Sequence, residues 1–167
     1  MARPSAASDL RLLRPDAATL DAAADGDEAL AAALGRPVVA GWATFTERLR
    51  TTPAGPWGTR FFVSGGEVVG WGGFKGPPRE GAVEIGYEIA ASRQGRGLAT
   101  AAARAMVAEA FADPRVARVL ASTLPQRNAS NHILEKIGFR FEGEALVRGT
   151  QVWRYAASPR PRADSAR

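Results

Sequence analysis

The sequence predicts a mixed α/β fold in a single domain, and three observations point to it. Short β-patterned runs alternate with alanine-rich helical runs along most of the chain. One strand, "GAVEIGYEIA", leads through a glycine turn into a helix, "RQGRGLATAAARAMVAEAF". The chain's 167 residues, 46% hydrophobic and 23% charged, suit one soluble domain with a real core.

The elements follow in order. "DLRLLRP" (residues 9–15) reads as a first strand ended by its proline, and "DAATLDAAADGDEALAAALG" as one or two helices, with Asp16 as N-cap and Gly35 as stop. "GWATFTERLR" (residues 41–50) predicts a further short helix, closed by "TTPAGPWG". "TRFFVS" and "EVVGWGGF" are two strands separated by Gly65-Gly66, a hairpin signal. Pro77 and Pro78 break the chain, and in Gly81–Ala90 the apolar Val83, Ile85, Tyr87 and Ile89 alternate with Glu84, Gly86 and Glu88. After the glycine turn, Ala99, Ala102, Ala103, Met106 and Ala110 recur at helical spacing until Pro114. "VARVLASTL" is a strand. "NASNHILEKI" is a short helix that Asn128 or Ser130 can cap and Gly138 ends. "FRFEGEALV" and "TQVWRYA" close the chain as strands around Arg148-Gly149.

Composition excludes several chemistries. With no cysteine, there is no disulfide, thiolate nucleophile or cysteine metal site. His132 is the single histidine, so no histidine cluster holds a metal, and no G-x-S-x-G elbow occurs. No apolar run approaches membrane-spanning length. The opening "MARPSAASDLRLLRPD" is cut by Asp9, Arg11 and Arg14 and lacks a signal-peptide core, so a cytoplasmic protein is expected. The net charge is +5, and Lys75 and Lys136 are the only lysines. The arginines are scattered except in the tail "SPRPRADSAR", so an anionic small molecule is favoured over nucleic acid. That tail reads as disordered.

The glycine turn carries the chemistry. A helix begins with unpaired N–H groups and the positive end of its dipole, and glycines there let the backbone approach a phosphate. A Walker A loop needs a lysine that this turn lacks. A dinucleotide fold needs a third glycine and an acid ending the next strand, and "VARVLASTL" has none. Q/R-x-x-G-x-G/A is the remaining pattern, and Gln94-Gly95-Arg96-Gly97-Leu98-Ala99 matches it at every fixed place. An ordinary exposed turn is the plain alternative.

With that hexapeptide, "VEIGYEIAASRQGRGLAT" and "NASNHILEKIGFRFEGE" together resemble the GNAT-superfamily N-acetyltransferases, in the branch of RimJ and RimL. The resemblance implies a central, mostly antiparallel twisted sheet with splayed middle strands flanked by helices. It divides the chain into a flexible N-terminus (1–8), one acetyltransferase domain (9–156) and a disordered basic tail (157–167). It implies acetyl-CoA as co-substrate, with its diphosphate on the turn formed by Gln94, Gly95, Arg96, Gly97, Leu98, Ala99 and Thr100, and its pantetheine arm against Ile89 and Asn128. Arg93 and Arg96 would add charge near the phosphates.

Catalysis is then expected by direct attack of a primary amine on the thioester. Glu84 is the candidate general base, with Glu88 beside it; both could instead lie on the polar side of the strand or pair with arginine. Ser130 resembles a serine that returns a proton to sulfur, and a helix cap is its plain reading. Many family members carry a tyrosine where this chain has Leu134. Trp42, Phe45 and Trp71 are candidates for the acceptor wall. The acceptor is a protein N-terminus or a small molecule, no metal, nucleic acid or membrane is expected, and the resemblance allows a homodimer. The competing reading is a sensor of the same fold that binds acyl-CoA without transferring the acyl group.

Overall fold

The computed structural model describes residues 6–40 and 54–160. The helix expected over residues 41–50, with Trp42 and Phe45, lies outside them.

The described elements are β1 (Arg11–Leu13), α1 (Ala17–Asp25), α2 (Asp27–Leu34), β2 (Thr59–Ser64), β3 (Glu67–Phe74), β4 (Ala82–Ile89), α3 (Leu98–Ala112), β5 (Arg118–Thr123), α4 (Ala129–Lys136), β6 (Arg140–Val147) and β7 (Thr150–Ala157). Asp16 caps α1 by accepting the Thr19 N–H at 2.8 Å. Gly26, at φ 128°, breaks the alanine-rich run into two helices. Gly35 ends the second in the left-handed conformation.

The strands form one seven-stranded sheet in the order β1-β2-β3-β4-β5-β7-β6. Every neighbouring pair is antiparallel except β4 and β5. β1 is shorter than the expected 9–15, because only Arg11–Leu13 find partners, in Phe61–Val63 of β2.

Helices cover the sheet on both sides. On one face, Val83, Ile85 and Ile89 of β4 pack with Leu98, Ala102, Met106 and Ala110 of α3 and Leu134 of α4. The alanines of α3 let the helix lie close to the strand. On the other face, Leu20 and Ala23 of α1 and Leu30 of α2 meet Phe61, Val63 and Val68. β2 is therefore buried along its whole length, which explains why Phe61, Phe62 and Val63 are apolar in succession and do not alternate with polar residues.

One buried cation organises the entry to β2. Arg60 is 1% exposed. Its guanidinium donates to the carbonyls of Gly55, Pro56, Gly58 and Thr59 and to the Glu109 carboxylate, and it lies 5.3 Å from the centre of the Phe74 ring. Several carbonyls and a carboxylate together offset the desolvation of the charge.

Candidate active site

The site begins where a ladder runs out. β4 and β5 are paired from Ala82↔Arg118 to Ile85↔Ala121 and no further. Beyond that point Gly86–Ile89 remain paired with β3, while Ser122 and Thr123 remain paired with β7. The middle of the sheet is thus a fork, as the resemblance implied. The glycines of β3 accommodate the course of β4: a Cβ on Gly70 would overlap the Glu88 carbonyl, and one on Gly72 the Gly86 carbonyl. No other residue fits at either position.

Hydrogen bonding sets which groups of β4 face the fork. The Ala90 N–H bonds to the Val69 carbonyl and the Lys75 N–H to the Glu84 carbonyl. Antiparallel alternation therefore directs the even-numbered residues of β4 toward β3. The backbone groups of Tyr87 and Ile89 are directed to the side that β5 has left.

The glycine turn follows directly. Gly95 and Gly97 have φ of 75° and 76°, a left-handed conformation that glycine adopts without a side-chain clash. Gly97 is the N-cap of α3, with ψ 6°, and no side chain caps the helix. The Ala101 N–H is bonded to the Gly97 carbonyl, so the N–H groups of Leu98, Ala99 and Thr100 precede the helical ladder. Amides converging on a dipole's positive end suit an anion.

The side chains around the turn have separate duties. Gln94 donates from Nε2 to the Ile89 carbonyl at 3.1 Å, tying the turn to the end of β4. Arg93 is ion-paired with Glu67 at 3.0 Å. Arg96 is exposed and has no ion-pair partner among the described residues.

Across the fork, Asn128 is the N-cap of α4, in a reciprocal capping box with Asn131. Asn131 is fully buried. It accepts the Asn128 N–H at 2.8 Å and donates to the Thr123 hydroxyl at 2.7 Å. These bonds hold the start of α4 against the end of β5. Of the two residues able to cap this helix, Asn128 does so, and Ser130 stands in the first turn. Sequence reasoning missed Asn131, although an asparagine three residues after a cap was the available signal. His132 is exposed, and Leu134 is in the core.

Glu84 lies before the fork, in the paired half of β4. It alternates with Val83 and Ile85 and so faces away from α3. Its Oε1 accepts from Lys75 Nζ at 2.6 Å and from the Ser122 hydroxyl at 3.0 Å. Its Oε2 lies 4.0 Å from an Arg154 nitrogen. Trp71 packs on the same side of the sheet, against the α1–α2 cluster.

Tyr87 reads in the sequence only as an apolar strand position, but its hydroxyl is buried and finds no hydrogen-bond partner among the described residues. Burial pushes its pKa up to about 12, against a smaller downward pull from the nearby Ser130 hydroxyl. A separate cleft lined by Arg104, Val107, Phe111, Ile137 and Ala157 lies along the C-terminal half of α3 and includes none of the expected site residues.

Comparison with known proteins identifies the domain and its fold. The family model described as the acetyltransferase (GNAT) domain matches residues 9–140. Probable N-acetyltransferase YjcK of Bacillus subtilis (strain 168) is 38% identical over 71 residues, which cover 41% of this chain and 39% of that protein. Mycobacterium smegmatis RimJ, solved with CoA-disulfide, is similar at 28% identity and a TM-score of 0.53, over 60% of this chain and 52% of that one. RimL, the ribosomal L7/L12 alpha-N-protein acetyltransferase, solved with coenzyme A, shares the fold at 19% identity and a TM-score of 0.65, over 92% and 96% of the two chains.

Proposed function

The chain belongs to the acetyltransferase (GNAT) domain family, and from that premise we propose that it transfers an acetyl group from acetyl-CoA to a primary amine. One observation carries the reading. The fork in β4 and the glycine turn are consecutive on a single stretch, residues 86–97, so one extended molecule can meet both. In this proposal the diphosphate lies on the amides of Gly95 to Thr100, with Arg96 adding charge. The pantetheine arm follows the fork past Ile89. Gln94 fixes the turn, and Asn128 sets the far wall by starting α4.

The acceptor amine approaches from the face that carries Glu84. Its nitrogen attacks the thioester carbonyl, the carbon–sulfur bond breaks, and the electron pair leaves on sulfur. A backbone N–H directed into the fork, from Tyr87 or Ile89, stabilises the oxyanion. The nitrogen sheds its proton to Glu84, through Oε2 or a water. Ser130 donates to the departing sulfur. With no cysteine in the chain, the proposal uses no acyl-cysteine intermediate. The acceptor is a protein N-terminus, as for the alpha-N-protein acetyltransferase RimL, or a small molecule such as the ribostamycin bound to AAC(6')-Ib.

Incubation with acetyl-CoA and a panel of amines and N-terminal peptides tests the reading, with release of free thiol as the readout. Release that requires an acceptor supports transfer. Binding of acetyl-CoA without any release favours the sensor. With a working acceptor, Glu84→Gln is expected to lower kcat by about 10²-fold or more and to change the pH profile; superimposable profiles would remove Glu84 from the mechanism.

A further inference from the structure

Tyr87 belongs to the part of β4 that has parted from β5. By alternation its side chain is on the α3 face with Ile85 and Ile89, and it packs against that core. Its hydroxyl lies near Ser130 in the first turn of α4. That turn is itself fastened to the other arm of the fork, through Asn131 and Thr123. The tyrosine therefore reaches from one arm toward the other and presents a buried oxygen with no hydrogen-bond partner among the described residues. A buried hydroxyl without a partner is costly and uncommon in a folded chain. Such a group is explained when a substrate atom completes it.

We propose that Tyr87 and Ser130 form a pair of hydroxyl donors for the sulfur of the thioester carrier, one from each side of the fork. This inference rests on the coenzyme A reading above and adds Tyr87 to it. When the carbon–sulfur bond breaks and sulfur keeps the electron pair, both hydroxyls donate hydrogen bonds to it. The thiolate then takes its proton from solvent, while the proton shed by the amine leaves through Glu84 or water. Tyr87 parts with no proton. Its phenol, pushed up to about 12, is a weaker acid than a thiol at about 8.5, so it acts as a lasting donor and not as a proton source.

The test needs no acceptor. The affinities of coenzyme A and of desulfo-coenzyme A, which lacks only the sulfur, are measured by calorimetry for wild type, Tyr87→Phe and Ser130→Ala. Wild type is expected to prefer coenzyme A. Each variant should reduce that preference by roughly three- to tenfold and bind desulfo-coenzyme A as wild type does. Equal weakening of both ligands, or an unchanged preference, overturns the pair. Tyr87→Phe removes only an oxygen that has no hydrogen-bond partner among the described residues, so its Tm should be no lower than that of wild type; a clear fall would show that the hydroxyl is structural and overturn the proposal. If wild type binds neither ligand, the coenzyme A reading fails and this inference with it. Tight binding of both without preference sinks the inference alone.

Discussion

An aspartate at Gly97 separates anion binding from folding. Gly97 has φ 76° and ψ 6°, where an ordinary residue costs about 1–2 kcal/mol. A Cβ there would sit 3.4 Å from the Ala7 Cβ, an ordinary contact, so the strain is mainly in the backbone. Gly97→Ala therefore measures the backbone cost alone. Gly97→Asp adds a negative charge at the start of α3, which the helix itself tolerates. A diphosphate does not. With the turn exposed, an effective dielectric of about 40 and a separation of about 5 Å give about 3 kcal/mol of repulsion for two phosphate charges, roughly a hundredfold in affinity. Calorimetry with coenzyme A, beside thermal melts of both variants, makes the comparison. If Gly97→Asp binds as tightly as Gly97→Ala, the diphosphate is not on this turn.

Other perturbations test the supports. Arg60→Met should cost about 1–3 kcal/mol, chiefly by leaving carbonyls without their donor, since water can reach the Glu109 carboxylate, and Arg60→Lys should not restore it, because an ammonium lacks the guanidinium fork. A wild-type Tm in Arg60→Met would contradict this. Asn131→Ala should lower stability by about 2–4 kcal/mol, through the lost capping box and the bond to Thr123; denaturant unfolding would read it, and a change under about 0.5 kcal/mol would show that the network is dispensable. The carboxyl of Asp9 is held below its usual range, chiefly by the Ser64 hydroxyl and then by the Gly65 N–H. That contribution is complete above pH about 4 and is lost as pH falls through the lowered folded-state value. Asp9→Asn should accordingly show a shallower loss of Tm on acidification, and parallel melting curves would refute it.

Most of the fold was legible because its signals are local. The Gly65-Gly66 hairpin, the alternation of β4, the Asp16 cap and the glycine turn each specify a conformation within a few residues. The fork was legible only through resemblance, since nothing in "VARVLASTL" says where its pairing with β4 stops. Arg60 gave no sign of being buried, because its partners are carbonyls that form a cage only once the chain has folded. The choice between Asn128 and Ser130 as cap depended on Asn131, a residue whose three-position offset is readable but whose bond to Thr123 is not. Glu84 was singled out without its company. Lys75 faces it across a hairpin, Ser122 stands on the next strand, and Arg154 comes from the strand beyond.

The bond from Gln94 to the Ile89 carbonyl has a consequence of its own. It spans the corner between strand and helix, so it helps to hold the interval from fork to turn. If the proposed function holds, that bond makes the corner act as a ruler. A donor whose phosphate and sulfur lie closer together or farther apart can engage one end or the other, but not both at once. Discrimination among acyl carriers would then come from their length, even where the acyl group itself is unchanged.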